Sequence, residues 1–204
     1  MKIIQRGAEA VLYLDKFEDE QCLVKERISK GYRIKELDEK LRKERASSEV
    51  NLLDKARRAN VKVPRVLEKE KFKIYLEYLD GQKLKDVLNL MKGFQLSFVC
   101  RKIGENISRL HSAGIVHGDL TTSNMIVQGN EVYFLDFSLG TVSKKIEDQA
   151  VDLFLLYEAL KSTHFPVLEE AWKNILEGYK NYPKSKEVLK RFEEIGKRRR
   201  YKTE

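Results

Sequence analysis

Three side chains that can offer oxygen ligands stand near one another in the middle of the chain, Asp119, Asn124 and Asp136. Two short apolar runs separate Asn124 from Asp136, and the polar residues 128–131 between those runs predict a β-hairpin. A hairpin would fold Asp136 back beside Asn124, where both could bind Mg²⁺, a hard cation that prefers carboxylate and amide oxygens, phosphate and water. Asp119 is then left to orient an attacking hydroxyl or water. Such a set suits phosphoryl transfer, which depends on positioning and on screening of charge.

The spacing of these residues resembles the catalytic loop of protein kinases. There an aspartate precedes an asparagine by five positions, and a second aspartate follows in an Asp-Phe-Gly motif. Here Asp136 opens the triplet Asp-Phe-Ser at 136–138. An ordinary turn before a surface hairpin is the plain alternative, but the spacing, the hairpin and the second aspartate are independent conditions that are all met. The pattern predicts Asp119 as a catalytic residue and Asn124 and Asp136 as metal ligands.

The N-terminal region predicts the parts that would hold ATP. Residues 2–14 predict two strands around a tight loop, and in a kinase the backbone N–H groups of this loop cover the phosphates. The loop keeps one glycine and consists of Gly7, Ala8 and Glu9. Lys25 ends the next apolar strand, where kinases keep the lysine that reaches the α and β phosphates. Taken alone, this lysine would be an ordinary solvated side chain.

Apolar residues recur at three- and four-residue spacing between Ser29 and Asn60, which predicts a helix. In a kinase, one carboxylate of this helix pairs with the lysine and holds it at the phosphates. Glu44 has the more usual separation from Lys25, and Glu49 is the other candidate. The residues alone leave both open.

A later strand ends at a polar break near residue 80, where a kinase has its hinge. The carbonyl of Glu77 and the N–H of Leu79 would then meet the adenine edge, with Leu76 behind the base. We expect an α+β, two-lobed kinase-like fold. Residues 1–80 would form an N-terminal lobe of antiparallel sheet plus helix, and residues 81–204 a reduced helical C-terminal lobe, together making one functional domain.

Two further residues are expected to support the catalytic loop. His117 stands where kinases keep a structural histidine, so we favour packing over general-base chemistry for it. Asp152 lies in an apolar helix, and the matching kinase aspartate accepts hydrogen bonds from the catalytic-loop backbone. Few residues separate Asp136 from that helix, so no long activation segment is expected.

Composition limits the class of protein. The 204 residues, 42% hydrophobic and 35% charged, can bury one substantial core or two small lobes. No apolar stretch is long enough to span a membrane and no signal-peptide pattern occurs, so a cytoplasmic protein without a membrane partner is expected. The formal net charge is +8, and residues 196–202 hold five cations. We expect this basic run to form a mobile tail without structure of its own.

Together these residues resemble one family closely, the small atypical kinase of the KEOPS (EKC) complex. The match runs nearly end to end. It covers residues 7–10, 25, 30–33, 37–38, 45–49, 117–125, 136–140, 147–148, 150–153 and 196–200. The family's Arg-Thr-x-x-Glu-Ala helix motif falls on residues 45–50 and selects Glu49 as the Lys25 partner, although Ala46 and Val50 differ from the motif.

The resemblance implies an ATP-hydrolysing, autophosphorylating serine/threonine kinase or ATPase that uses ATP and Mg²⁺. It implies work beside a metal-dependent threonylcarbamoyl transferase and the other KEOPS subunits, which make threonylcarbamoyladenosine on tRNA. Kinase and transferase are fused in some archaea, so the chain could be one half of such a fusion. For the basic tail it implies contact with tRNA, or entry into the cleft, through Lys197, Arg198, Arg199 and Arg200.

Two other hypotheses compete with this one. Small-molecule phosphotransferases of aminoglycoside or choline type also use His-Gly-Asp, but residues 121–123 read Thr-Thr-Ser where they usually have His-Pro-Gly, and their helical insertions are missing. A non-catalytic nucleotide-binding scaffold is the second. Against it, Lys25, Asp119, Asn124 and Asp136 are all present.

Overall fold

The computed structural model describes residues 2–200, with the backbone alone at positions 199 and 200. The N-terminal lobe contains β1 (Lys2–Arg6), β2 (Ala10–Phe17), β3 (Glu20–Arg27), β4 (Val66–Lys69) and β5 (Lys73–Glu77). They form one antiparallel sheet in the order β1-β2-β3-β5-β4. Glu18 and Asp19 join β2 to β3, and both adopt the positive φ that a two-residue type I′ turn requires. This turn fixes the register of the two strands.

The side chains of β3 alternate between two faces of the sheet. Cys22 and Val24 pack with Tyr13 in a small apolar cluster on one face. Leu23 packs against the main core on the other face, and Lys25 and Arg27 follow it at steps of two residues. The strand therefore directs two cations towards the core side of the sheet.

The long helix α1 (Lys35–Arg58) packs against β4 and β5. It buries a stripe at three- and four-residue spacing, namely Ala46, Glu49, Leu53 and Ala56. The helix begins at Lys35, later than the pattern starting at Ser29 predicts. The reason is that the buried carboxylate of Asp38 accepts the N–H of Lys30, and this contact fixes the preceding residues as a loop.

The C-terminal lobe is mainly helical. Its helices are α2 (Leu84–Val87), α3 (Gly93–Ser112), α4 (Ile146–Thr163), α5 (Leu168–Tyr179) and α6 (Ser185–Arg200). Its strands are β6 (Gln82–Lys83), β7 (Ile115–Val116), β8 (Met125–Gln128), β9 (Glu131–Phe134) and β10 (Thr141–Val142). One sheet has the order β6-β8-β9, and β7 pairs with β10. The predicted hairpin is thus β8 and β9, joined at Gly129-Asn130.

Helices α3 and α5 cross closely because each carries a glycine at the contact. A Cβ atom on Gly104 would overlap the carbonyl of Ile175, and one on Gly178 would overlap the carbonyl of Arg101. The main apolar core includes residues of α3, of α4 and of the loop that follows β7. The helices therefore form a rigid base under that loop.

The basic run at the C-terminal end is helical as far as it is described, so the prediction of an unstructured tail is wrong for residues 196–200. These residues continue α6. The helix packs Val188 and Phe192 into the core of the lobe, and Arg191 pairs with Glu147 of α4 and with Glu194. Lys and Arg are good helix formers, and cations in the last turn favour the helix dipole, so an anchored helix can extend through them. Residues 201–204 lie outside the described residues.

Within residues 2–200, none of the helices combines the length and the apolar character that crossing a membrane requires.

Candidate active site

The loop after β7 is held in place by one buried carboxylate. Asp152 of α4 accepts the N–H of His117 at 2.8 Å and the N–H of Gly118 at 2.9 Å, and His111 Nε2 lies 3.3 Å from it. Gly118 has φ +80°, and a Cβ there would overlap the carbonyl of Leu139. Only glycine suits that backbone. Asp152 thus makes the contacts expected of it.

His117 is buried and packs rather than facing the open cleft. Its Nε2 donates to the carbonyl of Leu135 at 2.9 Å, and its Nδ1 accepts the N–H of Asp119 at 3.3 Å. Its ring lies against Phe137, with centroids 4.5 Å apart. Burial lowers the pKa of His117 despite the nearby carboxylates, which favours the neutral tautomer that this bonding needs.

Asp119 and Asn124 are in direct contact. The Nδ2 of Asn124 donates to Asp119 Oδ2 at 2.8 Å and to the Asp119 carbonyl at 3.0 Å. This arrangement uses the amide nitrogen and leaves the amide oxygen as a possible ligand. The N–H of Leu135 donates to the carbonyl of Asn124 at 2.9 Å, so Asp136, the next residue, emerges beside Asn124. The hairpin brings the two together as expected.

Asp136 forms an ion pair that joins the two lobes. Its backbone is left-handed, with φ +56°, and its side chain is 44% exposed. Its Oδ1 accepts Lys25 Nζ at 2.7 Å and the N–H of Ser138 at 3.1 Å. Burial alone would raise the pKa of Asp136, but the Lys25 ammonium and these hydrogen bonds outweigh it and lower the pKa to about 2. The carboxylate is therefore ionised at neutral pH.

Lys25 pairs with Glu49 and not with Glu44. Lys25 Nζ lies 2.6 Å from Glu49 Oε1, and both side chains are buried. Glu44 is exposed on another face of α1, where its nearest cation is Lys40 at 4.0 Å. The Lys25 ammonium therefore bridges a carboxylate of α1 and the carboxylate of Asp136.

The loop of Gly7, Ala8 and Glu9 is exposed and is held from the α1 side. Gly7 N–H donates to the carbonyl of Ala10 at 2.9 Å, which closes a tight turn. Lys30 Nζ donates to the carbonyl of Ala8, and Glu9 pairs with Arg45 of α1. The carboxylate of Glu9, the N–H of Gly7 and the carbonyl of Ala8 are thus all engaged within the protein.

The three predicted adenine contacts lie at the end of β5. Leu76 and Leu79 are buried, and β5 ends at Glu77. The side chain of Glu77 accepts the N–H of Arg65 at 3.1 Å. Leu76 and Glu77 lie on the strand next to β3 and so are on the same sheet as Lys25, and Leu79 follows two residues after this strand ends.

Comparison with known proteins places the chain in a family. It matches the RIO domain over residues 12–154. It is also 43% identical, over 99% of its length, to the KEOPS complex subunit Bud32 of Pyrococcus abyssi, of which it covers 97%. The chain belongs to the RIO-domain family, among the Bud32 proteins. The resemblance to the KEOPS kinase family is therefore confirmed, and RIO proteins are atypical kinases, a class of phosphotransferases.

A second kind of relative is longer. The chain is 43% identical to a probable bifunctional tRNA threonylcarbamoyladenosine biosynthesis protein of Methanosarcina acetivorans and spans 35% of its length. Among solved structures, the Rio2 kinase of Chaetomium thermophilum in complex with ADP, Mg²⁺ and phosphoaspartate aligns over 99% of this chain and 72% of that one, with TM-score 0.67 and 14% identity. WaaP in complex with acyl carrier protein aligns with TM-score 0.64 over 93% and 81%, also at 14% identity. Identity this low shows the fold alone, and the kinase-like α+β fold is confirmed.

The donor chemistry of this RIO site fits Mg²⁺ bound together with a nucleotide. Among residues 2–200, no group of three or more His, Cys, Asp or Glu side chains could hold a metal ion by itself. Asn124 offers an amide oxygen, and the exposed carboxylate of Asp136 keeps Oδ2 beyond its contacts with Lys25 and Ser138. Two oxygens match the usual mode of Mg²⁺, which takes few protein ligands and completes its shell with phosphate and water.

Of the four basic residues predicted to meet tRNA, two can be placed. Lys197 and Arg198 are exposed on α6. The side chains of Arg199 and Arg200 lie outside the described residues.

Two residues of the site were missed in the sequence. Arg27 Nη2 contacts Glu49 Oε2 at 2.6 Å, and Ser138 Oγ lies within 3.2 Å of Lys25, Arg27 and Glu49. A serine in place of glycine in Asp-Phe-Gly was visible in the sequence. For Arg27 the signal was its position two residues after Lys25, on the same face of a strand.

Proposed function

We propose that the chain is a Mg²⁺- and ATP-dependent serine/threonine kinase and ATPase that supports threonylcarbamoyladenosine modification of tRNA within a KEOPS complex in the cytoplasm. The observation that carries the proposal is the double pairing of Lys25 with Glu49 and Asp136, beside the Asp119–Asn124 contact. Residues 1–80 and 81–204 would be the two lobes of this single functional domain.

Each residue of the site has a distinct role in this proposal. Lys25, held by Glu49, contributes positive charge to the α and β phosphates, and the backbone of the loop from Gly7 to Glu9 covers them. Asn124 and Asp136 hold Mg²⁺, which screens the phosphate charge when bound. Asp119 orients the attacking hydroxyl or water.

The remaining assignments concern binding and support. Leu76, Glu77 and Leu79 would receive adenine, mostly through backbone groups. His117 and Asp152 hold the loop that carries Asp119, through the hydrogen bonds already given. Their task is therefore structural support and not proton transfer.

The partners follow from the relatives. One relative is named as a KEOPS complex subunit and another as a bifunctional biosynthesis protein for threonylcarbamoyladenosine on tRNA. We infer that this chain works with a threonylcarbamoyl transferase, the other KEOPS subunits and tRNA, and has no membrane partner. These relatives disfavour a small-molecule phosphotransferase. The ordered ion pairs at Lys25 disfavour a non-catalytic scaffold.

The test is ATP turnover by the purified chain, alone and with the purified transferase and tRNA. Asp119→Asn should bind Mg²⁺-ATP with the affinity of the parent and lose turnover by roughly a thousandfold, because a positioned base contributes about that much. Asp136→Ala should lower turnover by a similar order, about a thousandfold, through loss of a metal ligand. A matched control is Asp148→Asn, which changes a half-buried carboxylate away from the site.

Unchanged turnover in Asp136→Ala would remove the metal assignment. Equal weakening of nucleotide binding in both variants would show that the roles of Asp119 and Asp136 are not separate. If the parent binds Mg²⁺-ATP but never turns it over, with or without transferase and tRNA, the scaffold hypothesis replaces the kinase.

A further inference from the structure

Arg27 is a buried cation that the proposed function does not use. It ends β3, two residues after Lys25, and is 3% exposed. Its Nε is buried and has no hydrogen-bond partner among the described residues. Burying a guanidinium with one N–H unpaired is unfavourable, so packing alone would favour an apolar residue at this position. The contacts of its Nη2 atom explain why a cation is there.

One carboxylate accepts both cations of β3. Arg27 Nη2 lies 2.6 Å from Glu49 Oε2, and Lys25 Nζ lies 2.6 Å from Glu49 Oε1. Arg27 Nη2 also donates to Ser138 Oγ at 3.2 Å, and Ser138 Oγ donates to Glu49 Oε2 at 3.2 Å. The guanidinium thus joins β3, α1 and the segment after Asp136, three elements that carry the site.

The balance of charge around Glu49 indicates the role of Arg27. Lys25 and Arg27 balance Glu49 and Asp136. If Lys25 were the sole partner of Glu49, a nucleotide that attracts its ammonium would leave a buried carboxylate without a counter-charge, which is costly. The guanidinium of Arg27 stays on Oε2, so Glu49 remains paired and oriented while Lys25 shares its charge with phosphate.

We propose that Arg27 is a positioning residue that holds Glu49 and Ser138, so that Lys25 can bind the phosphates without leaving Glu49 unpaired. The inference rests on the proposed function, since it concerns the same Lys25. It adds a device that the Lys25–Glu49 pair alone lacks. Arg27 does not touch the nucleotide in this scheme and acts only through Glu49 and Ser138.

The experiment compares Arg27→Met, which keeps the aliphatic stem without the charge, with Arg27→Lys and with Arg191→Met. The last removes a guanidinium that pairs with Glu147 and Glu194, on helices away from the site. Each variant is measured for melting temperature, for Mg²⁺-ATP binding by calorimetry, and for kcat and KM of ATP turnover. Glu49 keeps Lys25 as a partner in Arg27→Met, so this variant should still fold.

We expect Arg27→Met to weaken Mg²⁺-ATP binding and to lower kcat/KM by about tenfold or more, whereas Arg191→Met stays within about twofold of the parent. Arg27→Lys should recover part of the loss, because an ammonium can reach Glu49 without spanning to Ser138. In a Glu49→Gln background, Arg27→Met should cost less than about threefold, since the carboxylate it serves is gone. If Arg27 only stabilised the fold, the decreases in kcat/KM caused by Arg27→Met and by Glu49→Gln would multiply in the double variant.

Turnover and binding of Arg27→Met within twofold of the parent would overturn the inference, as would losses that multiply in the double variant. If Arg27→Met does not fold, the same cycle is run with Arg27→Lys and judged by the same criterion. A parent that shows no turnover refutes the proposed function instead. An active parent with a fully active Arg27→Met refutes only the role of Arg27.

Discussion

Replacing Asp152 with asparagine should both destabilise the protein and slow it. The buried carboxylate accepts the N–H groups of His117 and Gly118 at 2.8 and 2.9 Å, one on each oxygen. Asparagine keeps the shape but offers one oxygen and one NH₂ group. One of the two backbone donors would then face another donor in a fully buried site, and the charge that strengthens the remaining bond would be lost.

The size of the effect follows from these contacts. A hydrogen bond to a charged group contributes about 1.5–3 kcal/mol, and a buried donor left unpaired costs about the same, so we expect a loss of about 3 kcal/mol in the free energy of unfolding. For a chain of this size, each kcal/mol lowers the melting temperature by about 2–4 °C, which gives about 6–12 °C. The loop carries Asp119, and displacement by about 1 Å can cost about a hundredfold in rate.

The assay pairs thermal melting with ATP turnover in one buffer. Asp148→Asn is the control on the same helix, because Asp148 is half-buried and accepts a single bond from Ser143 Oγ at 2.6 Å. It should lose about 1 kcal/mol and keep its turnover. A melting temperature of Asp152→Asn within about 2 °C of the parent would refute the energetic reasoning. The expected melting with full turnover would refute the link between the loop and the rate.

Three further perturbations test other parts of the structure. The pKa of Asp136 is lowered to about 2, so its stabilising charge is complete above about pH 4 and is lost as the pH falls through about 2. With 44% of the side chain exposed, solvent screening reduces the effect to about 1 kcal/mol; the parent should be more stable than Asp136→Asn by that amount above about pH 4, and a difference that persists below about pH 2 would contradict this. Gly118→Ala should lower the urea midpoint of unfolding more than Gly129→Ala does. Both glycines have positive φ, but only a Cβ on Gly118 would overlap a neighbouring atom, so an equal decrease of the midpoint in both variants would contradict the close contact. Neutralising the arginines at 198–200 should weaken tRNA binding by the assembled complex and leave its ATP affinity unchanged. The slope of the logarithm of the binding constant against the logarithm of the salt concentration should decrease by roughly 0.7–0.9 per lost phosphate contact, and an unaltered slope would mean that these residues do not contact tRNA.

The catalytic loop and the hairpin could be predicted because their information is local. A fixed spacing separates Asp119 from Asn124, and a two-residue turn folds Asp136 back. The choice between Glu44 and Glu49 needed the family motif, although the sequence held a physical signal. Glu49 belongs to the apolar stripe that continues at Leu53, whereas Glu44 lies off it.

Other features could not be predicted because they depend on distant partners. Arg27 would ordinarily be solvated at the end of a strand, and its burial follows from contacts with Glu49 and Ser138, far along the chain. The basic run at 196–200 has a composition typical of an unstructured tail. It is helical because the preceding turns of α6 are anchored on the core through Val188 and Phe192.

The pairing of β7 with β10 has a consequence for control of the protein. Thr141 and Val142 pair with Val116 and Ile115, and the N–H of Ser143 donates to the carbonyl of Gly114 at 2.8 Å. The segment that follows Asp136 is therefore already hydrogen-bonded to the strand that precedes the catalytic loop. A phosphate group added to this segment would therefore not be needed to order it. Because this segment is already paired with β7, we expect control of the protein to come from what is bound to it and not from a modification that orders this segment.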